Sequence, residues 1–250
     1  MAMELISSRA RKQVYRDGDQ VIKVFSRDSS KTEALNEAIV TARIEELEDI
    51  HVPHILAVSV IDGKWAITKE FIEGKTLKEL LLEHPEETSK YLEQMVDLQL
   101  LILSKRCPYL NHLGTKTARQ IKEASELTDA QKYDLLSRLD EMPRHTKLCH
   151  GDFCPANIIV TNDGKLYLLD WVHATQGNAS ADAARTYLLF CLDTPELADP
   201  YLELFCQKSG IARRYVESWL PLVTAAQLSK QHPEETENLK HWLEVFDKQF

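Results

Sequence analysis

Hydrophobic and polar residues in the first part of the chain follow a pattern that predicts two β-hairpins separated by a helix. Asp17-Gly18-Asp19 and Asp62-Gly63 each lie between two short apolar runs, as tight hairpin turns do. Between them, apolar residues recur at helical spacing behind Asp28-Ser29-Ser30, whose side chains can cap a helix. The predicted elements are strands at residues 13–16, 21–25, 55–61 and 65–71 and a helix at residues 31–48.

The pattern changes to helical spacing after Glu73-Gly74 and stays mainly helical in the rest of the chain. Short apolar runs on both sides of Asn162-Asp163-Gly164 predict one further hairpin. The predicted elements are helices at residues 76–83, 86–105, 117–127 and 128–141, strands at residues 147–149, 157–160 and 165–170, and helix from about residue 181 onwards. The change at Gly74 predicts an α+β fold with two lobes, residues 1–74 and residues 75–250.

Composition and charge narrow the class of protein. A chain of 250 residues with 44% hydrophobic residues is large enough to bury a substantial core. Its formal net charge of -9 argues against nucleic acid or an anionic membrane as a partner. No apolar run reaches membrane-spanning length, and the first residues lack the pattern of a signal peptide. The five cysteines are odd in number and irregularly spaced, which favours free thiols and a cytoplasmic location.

The segment CHGDFCPANIIV, residues 149–160, concentrates chemically active side chains in a predicted loop. One interpretation is a metal cluster built on Cys149, His150 and Cys154. The other is a catalytic loop built on Asp152 and Asn157. Zinc sites usually have four ligands and paired CxxC spacing, and the segment offers neither, so the catalytic loop is favoured.

Asp152 and Asn157 suit phosphoryl transfer when they are combined with Asp170, which ends the following hairpin. An aspartate in such a loop can accept the proton of a substrate hydroxyl. An asparagine amide oxygen and a second carboxylate can bind a divalent cation, which neutralises the charge of the phosphates. Turn formation and helix capping are the ordinary alternative uses of these residue types.

The sequences HGDFCPANIIV and LYLLDWVHATQG, together with their order, resemble the aminoglycoside phosphotransferase and choline kinase-like family. The catalytic loop of that family reads His-Gly-Asp-x-x-x-x-Asn, and the resemblance extends over nearly the whole chain. It implies a two-lobed protein-kinase-like fold, with a small β-rich N-terminal lobe for the nucleotide and a larger, mainly helical C-terminal lobe for catalysis and substrate binding. The implied reaction moves the γ-phosphoryl group of ATP or GTP to a hydroxyl of a small molecule, aminoglycoside- or amino-alcohol-like, with Mg²⁺.

The resemblance also implies roles for individual residues. Asp152 would orient or deprotonate the acceptor hydroxyl, and Asn157 and Asp170 would ligate Mg²⁺. Lys23, in the strand VIKVF, would hold the phosphates of the nucleotide, and Glu37 would pair with that lysine.

Further blocks of sequence fit the same family. The segment WAITKEFIEG is similar to the family's hinge, which implies backbone contacts from Glu70, Phe71 and Ile72 to the adenine. Asp182, in ADAART, lies where the family has an aspartate that braces the catalytic loop. His150 would hold that loop by hydrogen bonds. His173 would lie beside the metal or the substrate, or it would be an ordinary surface or hydrogen-bonded histidine.

The chain departs from the family pattern where glycines normally approach the phosphates, because residues 6–15 contain no glycine. Ser7 and Ser8 are the expected replacements, with Arg9, Arg11 and Lys12 as phosphate-binding cations. The same departure favours an alternative function, a nucleotide-binding or inactive pseudokinase that acts as an interaction or sensing module.

The acceptor site is expected in the helical lobe, since similar enzymes hold cationic acceptors there with carboxylates. For each acidic candidate the alternative is a solvated face of a helix. The candidates are Glu196, Asp199 and Glu203, with Tyr187 and Trp219 for stacking or cation-π contact.

Overall fold

The computed structural model describes residues 3–9 and 11–249, and it begins with a five-stranded antiparallel sheet. The spatial order of the strands is β1-β2-β3-β5-β4. The first strand was not predicted, because its sequence places two apolar residues side by side and then two serines, and a bulge interrupts its pairing. The strands are β1 Glu4–Arg9, β2 Lys12–Asp17, β3 Gln20–Phe25, β4 Ile55–Ile61 and β5 Lys64–Glu70.

Helix α1, Lys31–Glu45, packs on one face of this sheet. Ser30 and Glu33 form a capping box at its start, which satisfies backbone donors that the first turn leaves unpaired. Buried apolar residues of the helix and the sheet form the interface, and the helix ends three residues before the predicted end at residue 48. The buried cluster consists of Phe25, Ala34, Ala38 and Ile67.

A second, three-stranded sheet is formed by β6 Lys75–Thr76, β8 Ile158–Val160 and β9 Leu166–Leu168, in the order β6-β8-β9. Its pairing joins the hairpin near residue 160 to the N-terminal part of the chain. Contacts accordingly divide the chain into two compact units, Met1–Glu87 with Pro155–His173, and Thr88–Cys154 with Ala174–Phe250. Helix α2, Leu77–Glu83, belongs to the first unit. The functional lobe boundary at Gly74 stays a prediction.

The second unit is mainly helical, with a short antiparallel pair of strands, β7 Lys147–Cys149 and β10 Thr175–Gly177. Helix α9 packs against α4 and α6. No helix among the described residues is both long and apolar enough to cross a membrane. The five cysteines are free thiols. The helices are α3 Thr88–Ser104, α4 Leu113–Glu123, α5 Asp129–Glu141, α6 Ala179–Asp193, α7 Ala198–Ser209, α8 Arg213–Glu217, α9 Leu220–Leu228 and α10 Pro233–Gln249.

Candidate active site

Lys23 lies between two carboxylates in the first unit. Its Nζ is 2.7 Å from Oε1 of Glu37 on α1 and 2.6 Å from Oδ1 of Asp170. The Glu37 side chain is fully buried, and only 12% of the Lys23 side chain is exposed. Three residues that are far apart in the sequence therefore form one buried ion cluster.

The ion pairs keep all three groups charged. Burial alone would lower the pKa of Lys23, but Asp170 and Glu37 outweigh that effect and hold it above its ordinary value. Burial alone would raise the pKa of Glu37, yet Lys23 and two further lysines hold it below its ordinary value. The pKa of Asp170 is likewise held well below its usual range by Lys23, against the effect of burial.

The two further lysines are Lys12 and Lys69. The Nζ of Lys12 is 3.0 Å from Oε2 of Glu37, and that of Lys69 is 3.8 Å from Oε1. Lys12 was expected to bind phosphate, but its pairing with Glu37 was not predicted, and Lys69 was missed altogether. Strand register explains the grouping, because Lys12 pairs with Phe25 and Lys69 with Val21, which places all three lysines on the face that α1 covers.

The two predicted magnesium ligands lie in neighbouring segments. The backbone N–H of Leu169 donates to the backbone oxygen of Asn157 at 2.8 Å, so the residue before Asp170 is fixed to Asn157. Asn157 is only 8% exposed. Asp170 has a φ of 58°, a left-handed conformation that is uncommon for a residue with a side chain. A carboxamide oxygen and a carboxylate are hard donors that suit Mg²⁺, so the residues present fit this metal.

The predicted hinge follows directly after β5. The N–H of Glu70 donates to the oxygen of His54, and that of Phe71 donates to the oxygen of Asp19, both at 2.9 Å. Ile72 is buried. The N–H groups of Glu70 and Phe71 thus already have acceptors. Backbone contacts from residues 70–72 to the adenine stay a prediction.

Ser7 and Ser8 lie in β1 and not in a loop, and both are exposed. They pair with Val14 and Gln13 of β2, which separates β1 from β3 and from Lys23. The structure thus places the two serines at the edge of the sheet, while Lys12 at the start of β2 joins the ion cluster.

Asp152 belongs to the second unit, in the loop after β7. Gly151 has a φ of 77°, and its N–H donates to Oδ1 of Asp182 at 2.7 Å. Asp182 is 1% exposed, and its other oxygen accepts from Gln99 at 3.2 Å. The N–H of Asp152 donates to Nδ1 of His150 at 3.2 Å. The bracing role expected of Asp182 and the structural role expected of His150 thus correspond to hydrogen bonds in the loop.

Replacing Asp182 by alanine is expected to lower the free energy of unfolding by about 1–3 kcal/mol, because the partly buried Gly151 N–H and the buried Gln99 amide would lose an acceptor. Turnover should fall as well, since the backbone next to Asp152 would no longer be fixed. Chemical denaturation and steady-state kinetics on the same preparation would measure both changes. An Asp182→Asn variant, which keeps an oxygen acceptor, should retain more of each property. Equal loss in both variants would contradict the bracing role.

The alternative of a metal cluster at Cys149, His150 and Cys154 is not supported. Cys149 is fully buried, and burial raises the pKa of its thiol well above the ordinary value. Its Sγ donates to the backbone oxygens of Lys147 and Asn178. Among the described residues, the one group of histidine, cysteine and acidic side chains close enough to share a metal lies elsewhere, at His232, Glu234 and Glu235.

Comparison with known proteins decides the family. The model of a family described as the phosphotransferase enzyme family matches residues 3–239. The chain belongs to the phosphotransferase enzyme family. This confirms the resemblance on which the predictions of a phosphotransferase and of its site residues were based. A search of curated proteins found no match.

Solved structures of phosphotransferases share the fold. A thermostable mutant of aminoglycoside phosphotransferase APH(4)-Ia, in ternary complex with AMP-PNP and hygromycin B, is 15% identical with a TM-score of 0.73, over 98% of this chain and 91% of that one. Choline kinase LicA from Streptococcus pneumoniae is 15% identical with a TM-score of 0.69, over 100% of this chain and 94% of that one. A GDP complex of a mutant aminoglycoside 2'-phosphotransferase-IIIa is 15% identical with a TM-score of 0.67, over 99% and 92%. The predicted protein-kinase-like fold is therefore confirmed.

Proposed function

We propose that this protein transfers the γ-phosphoryl group of ATP or GTP to a hydroxyl of a small molecule, and that Mg²⁺ is its metal. The observation that carries the proposal is the position of Lys23 between Glu37 and Asp170, at 2.7 and 2.6 Å. A buried ammonium that is fixed and kept charged in this way is suited to neutralise phosphate groups, which is the main requirement of phosphoryl transfer.

On this proposal, residues 1–74 form the nucleotide-binding lobe. Lys23, held by Glu37, binds the phosphates, and the segment 70–72 contacts the base through its backbone. Asn157 and Asp170 hold Mg²⁺, which supplies charge neutralisation and orientation of the phosphates when it is bound.

Residues 75–250 form the catalytic and substrate-binding lobe. Asp152 aligns the acceptor hydroxyl and accepts its proton while the hydroxyl oxygen bonds to the γ-phosphorus. The bond from that phosphorus to the bridging oxygen breaks, ADP or GDP leaves with the bonding electrons, and the proton passes from Asp152 to solvent.

The relatives support a nucleotide as the donor, because one was crystallised with AMP-PNP and hygromycin B and another with GDP. We expect the reaction to take place in the cytoplasm, in agreement with five free thiols. Neither nucleic acid nor a membrane is an expected partner, given the formal net charge of -9.

A thermal-shift titration with Mg²⁺ and ATP or GTP tests the first step, since a ligand that binds the folded state raises the melting temperature. A screen of small hydroxyl compounds for stimulated release of ADP or GDP tests the second step. Stabilisation by a nucleotide together with acceptor-dependent release is the expected result. A protein that neither nucleotide stabilises would contradict the proposal.

The glycine-free segment in residues 6–15 favours the second candidate function, an inactive or nucleotide-binding pseudokinase. Replacing Ser7 and Ser8 together by glycine tests it. If the native segment is not a handicap, nucleotide affinity should not rise by more than about threefold, because residues 7–9 are paired with β2 and the cation Lys12 is retained in the native protein. Nucleotide affinity measured by calorimetry would decide. A gain of about tenfold or more, equivalent to about 1.4 kcal/mol, would show that the native segment is a handicap.

A further inference from the structure

Three basic side chains surround Asp152 in the second unit. The Nη2 of Arg185 on α6 is 3.8 Å from Oδ1 of Asp152, and the Nζ of Lys230, which follows α9, is 3.9 Å from the same oxygen. Lys116 on α4 interacts electrostatically with Asp152, Arg185 and Lys230. Because α9 packs against both α4 and α6, the three cations come from elements that converge on one place.

Arg185 is buried, Lys230 and Lys116 are partly buried, and Asp152 forms ion pairs with Arg185 and Lys230. Only 9% of the Arg185 side chain is exposed, and its Nη2 forms no hydrogen bond among the described residues. The ion-pair distances to Asp152 are longer than hydrogen bonds. Besides Asp152, Glu235 and Cys154 interact electrostatically with both Arg185 and Lys230, and Asp182 interacts with Arg185. The carboxylates of Glu235 and Asp182 already accept other hydrogen bonds, from Gln227 and from Gly151 and Gln99 respectively.

The pKa values of the two lysines are lowered first by burial and then by neighbouring positive charge. Burial, followed by the charges of Lys230 and Arg185, lowers the pKa of Lys116 to about 7. Burial, followed by the charge of Arg185, lowers the pKa of Lys230 to about 8. An anion placed among these groups would relieve both the burial penalty and the mutual repulsion.

Two of the three acidic candidates for holding a cationic acceptor pair with a cation of this chain. Asp199 and Glu203 on α7 both pair with Arg213, which also binds Glu217 at 2.7 Å. These pairs hold the pKa of Arg213 above its ordinary value, through the hydrogen bonds to Glu217 and Asp199. An ammonium group near Asp152 would meet three cations, whereas an anionic group would complement them.

We infer that the acceptor is a small anionic hydroxyl compound, with a carboxylate or phosphate group close to the hydroxyl that Asp152 aligns. This inference rests on the proposed function, since it assigns the substrate of the same site. The hydroxyl lies at Asp152, and the anionic group lies among Arg185, Lys230 and Lys116.

Binding measurements with acceptors matched in shape test the inference. The sugar series has the anions glucuronate and glucose 6-phosphate, neutral glucose and cationic glucosamine. The three-carbon series has anionic glycerate, neutral glycerol and cationic 3-amino-1,2-propanediol. Each compound is titrated by calorimetry into the protein saturated with Mg²⁺ and AMP-PNP. In each series an anionic member should bind at least about tenfold more tightly than the neutral and cationic members. Equal binding of all members of a series, or preference for the cationic member, would overturn the inference. Equal binding is the result expected if the three basic side chains contact only the transferred phosphoryl group.

Variants assign the effect to the cluster. Lys230→Gln and Lys116→Gln should each weaken binding of the preferred anion about tenfold. Lys240→Gln is the matched control, because Lys240 pairs with Glu126 at 3.1 Å, and it should leave anion affinity unchanged. Equal affinities in all three variants would overturn the assignment.

Turnover of the same compounds distinguishes a failure of the inference about an anionic acceptor from a failure of the proposed phosphotransferase function. Nucleotide-dependent phosphorylation of cationic members alone would overturn the inference and leave the proposed function standing. A preference for anions in binding, with no turnover of any member, would support the charge assignment and count against the phosphotransferase function.

Discussion

Replacing Asp152 by asparagine is expected to lower acceptor-dependent turnover by about 10²–10⁴-fold while nucleotide binding is retained. Asparagine has nearly the same shape as aspartate, but its amide cannot accept the proton of the acceptor hydroxyl. The groups assigned to the nucleotide, Lys23, Glu37 and Asp170, belong to the first compact unit, whereas Asp152 belongs to the second. Steady-state kinetics and a nucleotide thermal-shift titration on the same variant would separate the two effects.

Asp163→Asn is a suitable control, because Asp163 is an exposed aspartate whose partners are Thr161 and Lys165 in the β8–β9 hairpin. Its turnover should equal that of the wild type. Wild-type turnover in Asp152→Asn would contradict the assignment of Asp152, and loss of nucleotide binding would show that the substitution acts through the fold.

Replacing Lys23 by methionine is the second change with a large expected effect, a loss of about 10²–10³-fold in kcat/KM for the nucleotide. Methionine fills the space of the lysine stem and removes the ammonium that would neutralise the phosphates. The fold should survive, because Glu37 keeps Lys12 at 3.0 Å and Lys69 at 3.8 Å. Nucleotide kinetics and a denaturant titration would measure the two consequences.

Lys165→Met serves as the control for lost charge, since Lys165 is exposed and pairs with Asp163 at 2.8 Å. It should leave kcat/KM within about twofold of the wild type, as surface substitutions usually have small effects. Normal nucleotide kinetics in Lys23→Met, combined with their loss in Lys69→Met, would show that Lys69 is the lysine that binds the phosphates.

The hairpins and most helices were predictable because each depends on a local signal. Of the predicted turn Asp17-Gly18-Asp19, Gly18 and Asp19 connect β2 to β3, and Asp62-Gly63 joins β4 to β5. The capping box of α1 likewise uses residues that are close in sequence, Ser30 and Glu33. Strands β6 and β10 have two and three residues and no hydrophobic alternation, so no local pattern indicated them.

The ion cluster was only partly predictable. The resemblance to a family suggested Lys23, Glu37 and Asp170, and the structure brings these three together. Lys69 was missed because a lysine in a strand is usually exposed, and its inward position follows only from the register of β5 with β3. Knowledge that Lys69 lies two residues after Ile67, which pairs with Lys23, would have placed it on the same face.

The surroundings of Asp152 were beyond a reading of local patterns. Lys116, Arg185 and Lys230 are far apart in the sequence, and each lies in or beside a helix with other charged residues. Tertiary packing of α4, α6 and α9 is what collects their charges at one carboxylate. The positive charge near Asp152 is therefore a property of the fold and not of the loop sequence alone.

The most direct test of a phosphotransferase function follows the γ-phosphoryl group itself. Nucleotide labelled at the γ-phosphate would be incubated with Mg²⁺, the wild type or Asp152→Asn, and the hydroxyl compounds of the acceptor screen, and the products would be separated. We expect the wild type to move the label onto an acceptor and Asp152→Asn to do so at least about 10²-fold more slowly. Label that stays on the nucleotide or appears only as inorganic phosphate, equally in both proteins, would contradict this expectation.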